Sequence, residues 1–326
     1  MSQPAGQELS QAHAADSSPA AIRLSLPATS ANLGPAFDSA GLALALTLTI
    51  DAEHASTPGD PLLTLEATGR NADRCSRPSG NMIFETYRDV LQRAGRPVLP
   101  LNIRIHNEIP LGMGLGSSAA ALLGGVMLAS HFGGLNWDLQ ACMEEACRRE
   151  GHPDNVAACA LGYMTISAAG EDGSVTAATC GQGLPWKLLI ALPPASLPTE
   201  KARALLPGSY SRADVVANVQ RTGLLVAAFA LGRGDLLRVA MQDQLHQPYR
   251  MEACPLLPLL LPLAGSDGIL GVALSGAGPA VLLITDSAVP AQTIAQKIRT
   301  AASADDLEIL ETTLAPGASH FVQTDR

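Results

Sequence analysis

Apolar and polar positions change their spacing repeatedly along this chain, and each spacing predicts an element. "IRLSLPA" (22–28) and "GLALALTLTID" (41–51) read as strands, with "ATSANLGPAFDSA" as the loop between them. "LLTLEAT" reads as a third strand. In "MIFETYRDVLQRAG" the residues Ile83, Tyr87, Val90 and Leu91 recur at i, i+4, i+7 and i+8, the period of an amphipathic helix that Gly95 stops. "LNIRIHN" alternates strictly, which predicts a half-exposed strand. Ser118 to Phe132 is apolar nearly all round, the mark of a buried helix, and Asp138 to Arg149 is a second helix.

From about residue 162 the pattern returns to strands: "GYMTISAAG", "SVTAAT" and "WKLLIALP". Helices are predicted over Thr199–Leu206, Arg212–Leu231 and Asp235–His246. "GILGVALSGAGPAVLLITD" reads as a strand, a Gly-Pro turn and another strand. A helix from Pro290 to Ala302 and a last strand, "LEILETTLA", close the chain. There is no internal repeat. The order of elements predicts an α+β arrangement of two layered domains, 21–180 and 181–326, behind a disordered tail over 1–20.

Composition narrows the class. At 326 residues the chain can bury a large core, and 47% hydrophobic with 16% charged residues belongs to a soluble globular protein. The net charge of −9 argues against broad affinity for nucleic acid or anionic membranes. The six cysteines, at 75, 142, 147, 159, 180 and 254, show no C-x-x-C pair and no histidine at zinc spacing, so a metal cage is not expected and free thiols in a cytoplasm are. The first twenty residues have neither the basic start nor the apolar centre of a signal peptide. "CPLLPLLLPLAG" is too short to span a bilayer.

The stretch "IPLGMGLGSSAAALL" (109–123) changes the picture most. Gly114 and Gly116 with Ala119 match G-x-G-x-x-A, but the match lies over a hundred residues into the chain, behind an alternating strand and Pro110, where a dinucleotide fingerprint does not occur. No G-x-x-x-x-G-K-[ST] is present either. Glycines nonetheless let backbone N–H groups approach an anion, and a helix start offers unpaired donors. A glycine turn leading into an alanine-rich core helix is the plainer alternative.

Two companion segments decide between these. "PATSANLGPAFDSAGLAL" (27–44), "PLGMGLGSSAA" (110–120) and "LSGAGPAVLL" (274–283) together resemble the small-molecule kinases named for galactose, homoserine, mevalonate and phosphomevalonate, the GHMP kinases. The resemblance spans roughly 22 to 315. "SANLGPAFDSAGLAL", "EGHPDNVAAC" (150–159), "TEKAR" (199–203) and "QPYR" (247–250) look like the branch that phosphorylates homoserine. It implies an N-terminal domain of mixed sheet with a left-handed βαβ crossover, a ferredoxin-like C-terminal domain, and ATP in the groove between them.

The resemblance also implies roles. ATP would contact Asn81, Pro110, Gly112, Gly114, Leu115, Gly116, Ser117, Ser118, Ala119, Ser275, Gly276 and Gly278. The sparse side chains of the glycine stretch would make room for the triphosphate. Ser118 and Glu150 would hold Mg²⁺, which needs few protein oxygens. Homoserine is a zwitterion: Arg203 and Arg250 would hold its carboxylate, Asp38 and Asp154 its ammonium, with Asn32 and Thr199 nearby. Asn155, with Asp154, Ser118 and Glu150, completes the catalytic set. Related kinases place an aspartate at the position of Asn155, and an amide takes no proton at neutral pH, so a mechanism without a dedicated base is expected. His152 and Pro153 read as a turn and helix start.

Plainer roles stand beside these: a helix cap for Ser118 or Asn81, a solvated helix end for Glu150, surface positions for either arginine. Two departures from the family pattern bear on the substrate side. Ala36 replaces a usual glycine, and prolines 255, 258 and 262 interrupt an expected helix. A related kinase acting on threonine or another small alcohol, or an ATP-binding sensor without catalysis, are the alternatives. A dinucleotide-dependent dehydrogenase is a more distant one. The oligomeric state stays open, a homodimer among the options.

Overall fold

A computed structural model describes residues 20–55 and 61–322, so the expected tail falls almost wholly outside the described residues. The first sheet is built from β1 (Ile22–Ala31), β2 (Ala40–His54), β3 (Leu63–Gly69), β4 (Leu101–Asn107), β5 (Met164–Ala169) and β6 (Val175–Cys180). A last strand, described below, joins its edge. Between β3 and β4 run α1 (Ala72–Cys75) and α2 (Met82–Arg93). Then follow α3 (Ser117–Phe132), α4 (Leu139–Glu150) and α5 (Asp154–Leu161). β3 and β4 are parallel neighbours, and the remaining strand pairs are antiparallel, so the sheet is mixed as expected.

β2 carries the topology. Its second half pairs β4 and its first half pairs β5, while β1 lies along its whole length. The β1–β2 register shifts between Pro27 and Ala28, where proline has no N–H for the ladder. The residues of β2 skipped by that shift turn elsewhere: the Ala45 N–H donates to Thr313 O at 3.0 Å.

β4 alternates as its sequence does, with Leu101, Ile103, Ile105 and Asn107 inward and Arg104 and His106 outward. α3 is buried along most of its length, packed between the sheet, α2 and α4. Its glycines make the close approach possible. A Cβ on Gly124 would lie 2.7 Å from Ile50 Cδ1, and one on Gly125 would lie 2.5 Å from the Ile83 carbonyl oxygen.

The second sheet contains β7 (Trp186–Leu192), β8 (Ile269–Leu274), β9 (Val281–Asp286) and β10 (Glu308–Thr312) in the order β10–β7–β9–β8, all antiparallel. Its helices are α6 (Thr199–Ala204), α7 (Arg212–Leu231), α8 (Leu237–Ala240), α9 (Gln247–Arg250), α10 (Leu256–Leu260) and α11 (Ala291–Ala302). Helices between first and second strands and between third and fourth, with that strand order, give the expected ferredoxin-like layer. A second apolar core, with Leu257, Leu260, Ile294 and Ile298, fills the space under it. All six cysteines are free.

Two expectations change. The chain passes between sheets from Cys180 to Trp186, but it does not stay in the second. β11 (Ser319–Val322) pairs antiparallel with β1, so 181–326 is not one contiguous domain and "LEILETTLA" is not the last strand. The helix predicted over Asp235–His246 is only a 3₁₀ turn and α8, because the Asp243 carboxylate accepts the N–H groups of Leu245, His246 and Gln247 and so replaces helical bonds. The three prolines do interrupt the helix expected after Arg250: α10 is only five residues long, with Pro255 at its N-cap and Pro258 in its first turn, and Pro262 sits in the 3₁₀ turn that follows. Among the described residues, α7 is the one helix long and apolar enough, by length and composition, to cross a membrane. It is tied into the protein instead, by Asn218 Nδ2 bonds to Pro35 O at 3.1 Å and Asp243 Oδ1 at 2.7 Å.

Two helical glycines test this packing with opposite signs. Alanine is the better helix former by about 1 kcal/mol, so Gly223→Ala, where a Cβ meets nothing within 4 Å, should raise the unfolding midpoint. Gly125→Ala gains the same propensity but overpacks the α2 contact at a typical cost of about 1–3 kcal/mol, and should lower it. Thermal melts of the two variants check both signs.

Candidate active site

Three segments far apart in sequence meet where the two sheets face each other. The Thr29 N–H donates to Leu115 O at 3.1 Å, the Gly276 N–H to Ala31 O at 3.0 Å and the Ala280 N–H to Met113 O at 3.2 Å. Ser275 Oγ lies 2.8 Å from Gly114 O and 2.9 Å from Ser30 Oγ. Gly114 and Gly116 have φ of +78° and +67°. A Cβ on Gly114 would overlap the Ser275 carbonyl, and one on Gly116 would overlap the Thr29 hydroxyl. These glycines are therefore required by the protein's own packing. Room for a ligand is not their only physical reason.

The cleft beside this junction is lined by Asn32, Asp38, Gly112, Gly114, Leu115, Gly116, Ser117, Ser118, Glu150, Asp154, Asn155, Thr199, Arg203, Arg250 and Gly276. Four other expected contacts do not line it. Ser275, Gly278, Ala119 and Pro110 pack behind the loop, where Ser275 and Gly278 support Gly114. Asn81 lines an adjoining groove, where its side chain caps α2: Oδ1 accepts from Phe84 N at 3.3 Å and Nδ2 donates to Cys75 O at 3.1 Å. That groove is walled by Leu48, Met82, Ile105, Ile109 and Ala121 and shares Gly112, Ser117 and Ser118 with the cleft.

α3 begins at Ser117 behind left-handed Gly116, with no side-chain cap. Its first-turn N–H groups and the positive end of a sixteen-residue helix thus face the cleft. Ser118 Oγ donates to Glu150 Oε2 at 2.9 Å, and both residues are half-buried. This pair of hard oxygen donors suits a magnesium ion coordinated mainly by water and phosphate.

At the start of α5, Asp154 is buried, and its Oδ1 accepts from His152 Nδ1 at 2.6 Å, Asn155 N at 2.7 Å and Asn155 Nδ2 at 3.1 Å. Asn155 Oδ1 accepts from Thr29 Oγ1 at 2.7 Å. Burial disfavours charge on His152, but the hydrogen bond and charge of Asp154 outweigh it and raise its pKa. His152 is thus a wall of the cleft as well as a turn residue. Thr29 and Phe37 were likewise missed. Neither carries a signal in sequence, because each acts on partners that only the fold brings near: Thr29 through its hydroxyl on Asn155, and Phe37 through its ring beside the two arginines.

Asp38 and Arg203 form a two-point ion pair at 2.6 and 3.1 Å, so neither meets the cleft alone. Asp38, His152 and Asp154 offer ligand atoms within 4.8 Å of one another, but these internal pairs already satisfy them. Arg250 differs. It is 1% exposed, and among the described residues its guanidinium bonds only neutral acceptors: Ala202 O at 3.1 Å, His246 Nδ1 at 3.1 Å and Gly276 O at 3.4 Å. Burial and the neighbouring Arg203 push its pKa below the usual arginine value. The guanidinium carbons of Arg203 and Arg250 each lie 5.5 Å from the Phe37 ring centre.

The loop holding these groups is strained. Asn32, Leu33 and Gly34 are consecutively left-handed, as is Asp38 (φ +54°), a conformation costing about 1–3 kcal/mol per non-glycine residue. Asn32 offsets this by accepting from Asp38 N at 3.0 Å and donating to Gly276 O at 2.9 Å. Ala36 has no positive φ and is 1% exposed, so the family's usual glycine is not needed there.

Comparison with known proteins places this geometry. The family model described as "GHMP kinases N terminal domain" matches residues 81–163, and that described as "GHMP kinases C terminal" matches 225–304. A homoserine kinase of Solibacter usitatus is 45% identical over 262 residues, covering 80% of this chain and 84% of that relative. The crystal structure of a homoserine kinase from Cytophaga hutchinsonii superposes with a TM-score of 0.76 at 24% identity, over 94% of this chain and 99% of the other. The structure of a putative homoserine kinase from Listeria monocytogenes gives 0.72 at 29% identity, over 93% and 100%. On this agreement of motif order, fold and identity over most of both lengths, the chain belongs to the homoserine kinases of the GHMP kinase family.

Proposed function

We propose that this chain transfers the γ-phosphoryl group of ATP to the side-chain hydroxyl of L-homoserine, forming O-phospho-L-homoserine for threonine biosynthesis in the cytoplasm. The observation that carries the substrate half of this reading is Arg250, a buried cation at the cleft wall bonded, among the described residues, only to neutral acceptors. An amino-acid carboxylate is the ligand that would complete it.

The phosphate half lies at the start of α3. Its unpaired N–H groups and dipole would receive the triphosphate, and the apolar groove beside Asn81 would take the adenine. Ser118 and Glu150 would hold Mg²⁺, which when bound supplies charge neutralisation at the phosphates. Arg250 and Arg203 would grip the carboxylate, with Arg203 held in place by Asp38. All three donors to Asp154 converge on Oδ1, so Oδ2 is the oxygen left for the ammonium. Thr29 and Asp154 fix the amide of Asn155, which orients the hydroxyl without taking its proton. The proton leaves through the phosphate. Catalysis then rests on alignment and electrostatics.

Glu150→Ala should lower turnover by roughly 10²-fold or more while the unfolding midpoint holds. Mg²⁺ titration should show a weakened metal requirement curve in the same variant. Wild-type rates at ordinary Mg²⁺-ATP would remove the metal assignment.

Asn155→Ala should cost less than the roughly 10²–10⁴-fold loss typical of a deleted general base, and its pH–rate profile should keep the wild-type shape. A limb of the profile that disappears in this variant contradicts a base-free transfer.

Arg250→Ala removes the cation that meets the substrate carboxylate. Truncating such a buried pair typically costs about 2–5 kcal/mol, expressed mainly in KM for homoserine because the carboxylate is remote from the transferred group. KM for ATP should hold. With 3-amino-1-propanol, which lacks the carboxylate, the variant should be no worse than wild type. An unchanged KM for homoserine would leave only the ATP half of the reading standing.

A further inference from the structure

Between Arg250 and the loop that carries Asp38 lies His246, an imidazole with no exposed surface, four residues before Arg250. Its Nε2 is 2.8 Å from the Gly34 carbonyl oxygen, an acceptor, so Nε2 carries a proton. Its Nδ1 is 3.1 Å from Arg250 Nη1, and a guanidinium has only donors, so Nδ1 presents its lone pair. Two neighbours of fixed polarity therefore select one neutral tautomer.

The surroundings hold that tautomer. The charged groups facing the ring are Asp243, 3.6 Å from Nε2, with Arg250 and the more distant Asp38. Asp243 is engaged by Asn218 and by the N–H groups of Leu245, His246 and Gln247. Burial, with Arg250 beside it, keeps His246 below its ordinary pKa despite Asp243. The Phe37 ring packs against the imidazole at 5.4 Å between centres, under the same two guanidinium groups that it supports. No Cβ fits on Gly34, where one would overlap the Met241 carbonyl, so the loop packs directly on the backbone that leads to His246.

We propose that His246 is a positioning residue for the substrate carboxylate: its Nδ1 lone pair holds one arm of Arg250, and its Nε2–H ties that unit to the loop carrying Asp38. With Nη1 bonded to His246 and Nε to Ala202 O, rotation of the guanidinium is stopped, and Nη2 is left for the cleft. The inference rests on the reading of Arg250 as the carboxylate ligand. It assigns to a residue outside the cleft the direction in which that ligand points.

Two substitutions separate the ring nitrogens. H246Q keeps a donor near Nε2 and supplies no acceptor at Nδ1, whereas H246N places its Oδ1 near Nδ1 and drops the Gly34 bond. A lost hydrogen bond to a charged group corresponds to about tenfold in affinity, so KM for L-homoserine should rise about tenfold in H246Q. The loss should fall on that KM rather than on kcat or KM for ATP, and H246N should recover most of it. Equal losses in both variants, or a loss carried by kcat, would overturn the proposal. Because a change at a fully buried site can abolish folding, the wild-type protein supplies a second test. Sequence-assigned ¹⁵N histidine spectra should show His246 protonated at Nε2 and unprotonated at Nδ1, and saturating L-homoserine should shift the Nδ1 resonance. A protonated Nδ1, or one unmoved by homoserine, sinks the idea. If Arg250→Ala keeps the wild-type KM, the substrate reading has failed. If Arg250→Ala raises KM and H246Q does not, only the role of His246 has failed.

Discussion

Everything in the cleft depends on three segments meeting at two glycines where no Cβ would fit. Gly114 rests on the Ser275 carbonyl and Gly116 on the Thr29 hydroxyl, at separations that exclude a Cβ. The hydrogen bonds across this junction join β1, the start of α3 and the β8–β9 turn, and so join the two sheets. An interior packed this tightly does not deform gradually: a methyl group at Gly114 would push against the β8–β9 turn of the second sheet, and one at Gly116 against β1 and Asn155. The start of α3 is therefore held by the same contacts that join the two sheets.

Charge in the cleft is divided between pairs that are closed and one that is open. Asp38 closes Arg203, and His152 with Asn155 closes one oxygen of Asp154. These internal pairs hold the polar groups in place before any ligand arrives, which lowers the reorganisation left for catalysis. Arg250 is left with neutral partners at high desolvation cost. A buried cation in that state favours binding of an anion more than a solvated one does, since part of the dehydration has already occurred in folding.

Much of this was legible in the chain. Alternation placed β4, the all-round apolar run placed α3, and α7 has the bounds its sequence predicts. The glycine, substrate-loop and Gly-Pro segments carry residues whose types suit a phosphate and a zwitterion, and most of those residues line one cleft. The misreadings share a cause. Asp235–His246 has helical composition, but one carboxylate accepts three consecutive N–H groups and stops the helix. β11 is only four residues long and pairs with β1, nearly three hundred positions away. Local pattern holds no record of either.

The sequence by itself determined the element order, the family motifs and the set of polar side chains available to the site, because periodicity and residue type are local properties. Tertiary structure decided which of those side chains are already spent on each other. Arg203 and Arg250 are equivalent as letters, yet one faces a carboxylate and the other a histidine lone pair. Asn81, Ser275 and Gly278 carry the family pattern, yet their polar atoms or backbones support the protein rather than line the cleft. The physical reason is that hydrogen bonds and desolvation are set by neighbours within a few ångströms, and in this fold those neighbours come from segments as much as about 300 residues apart.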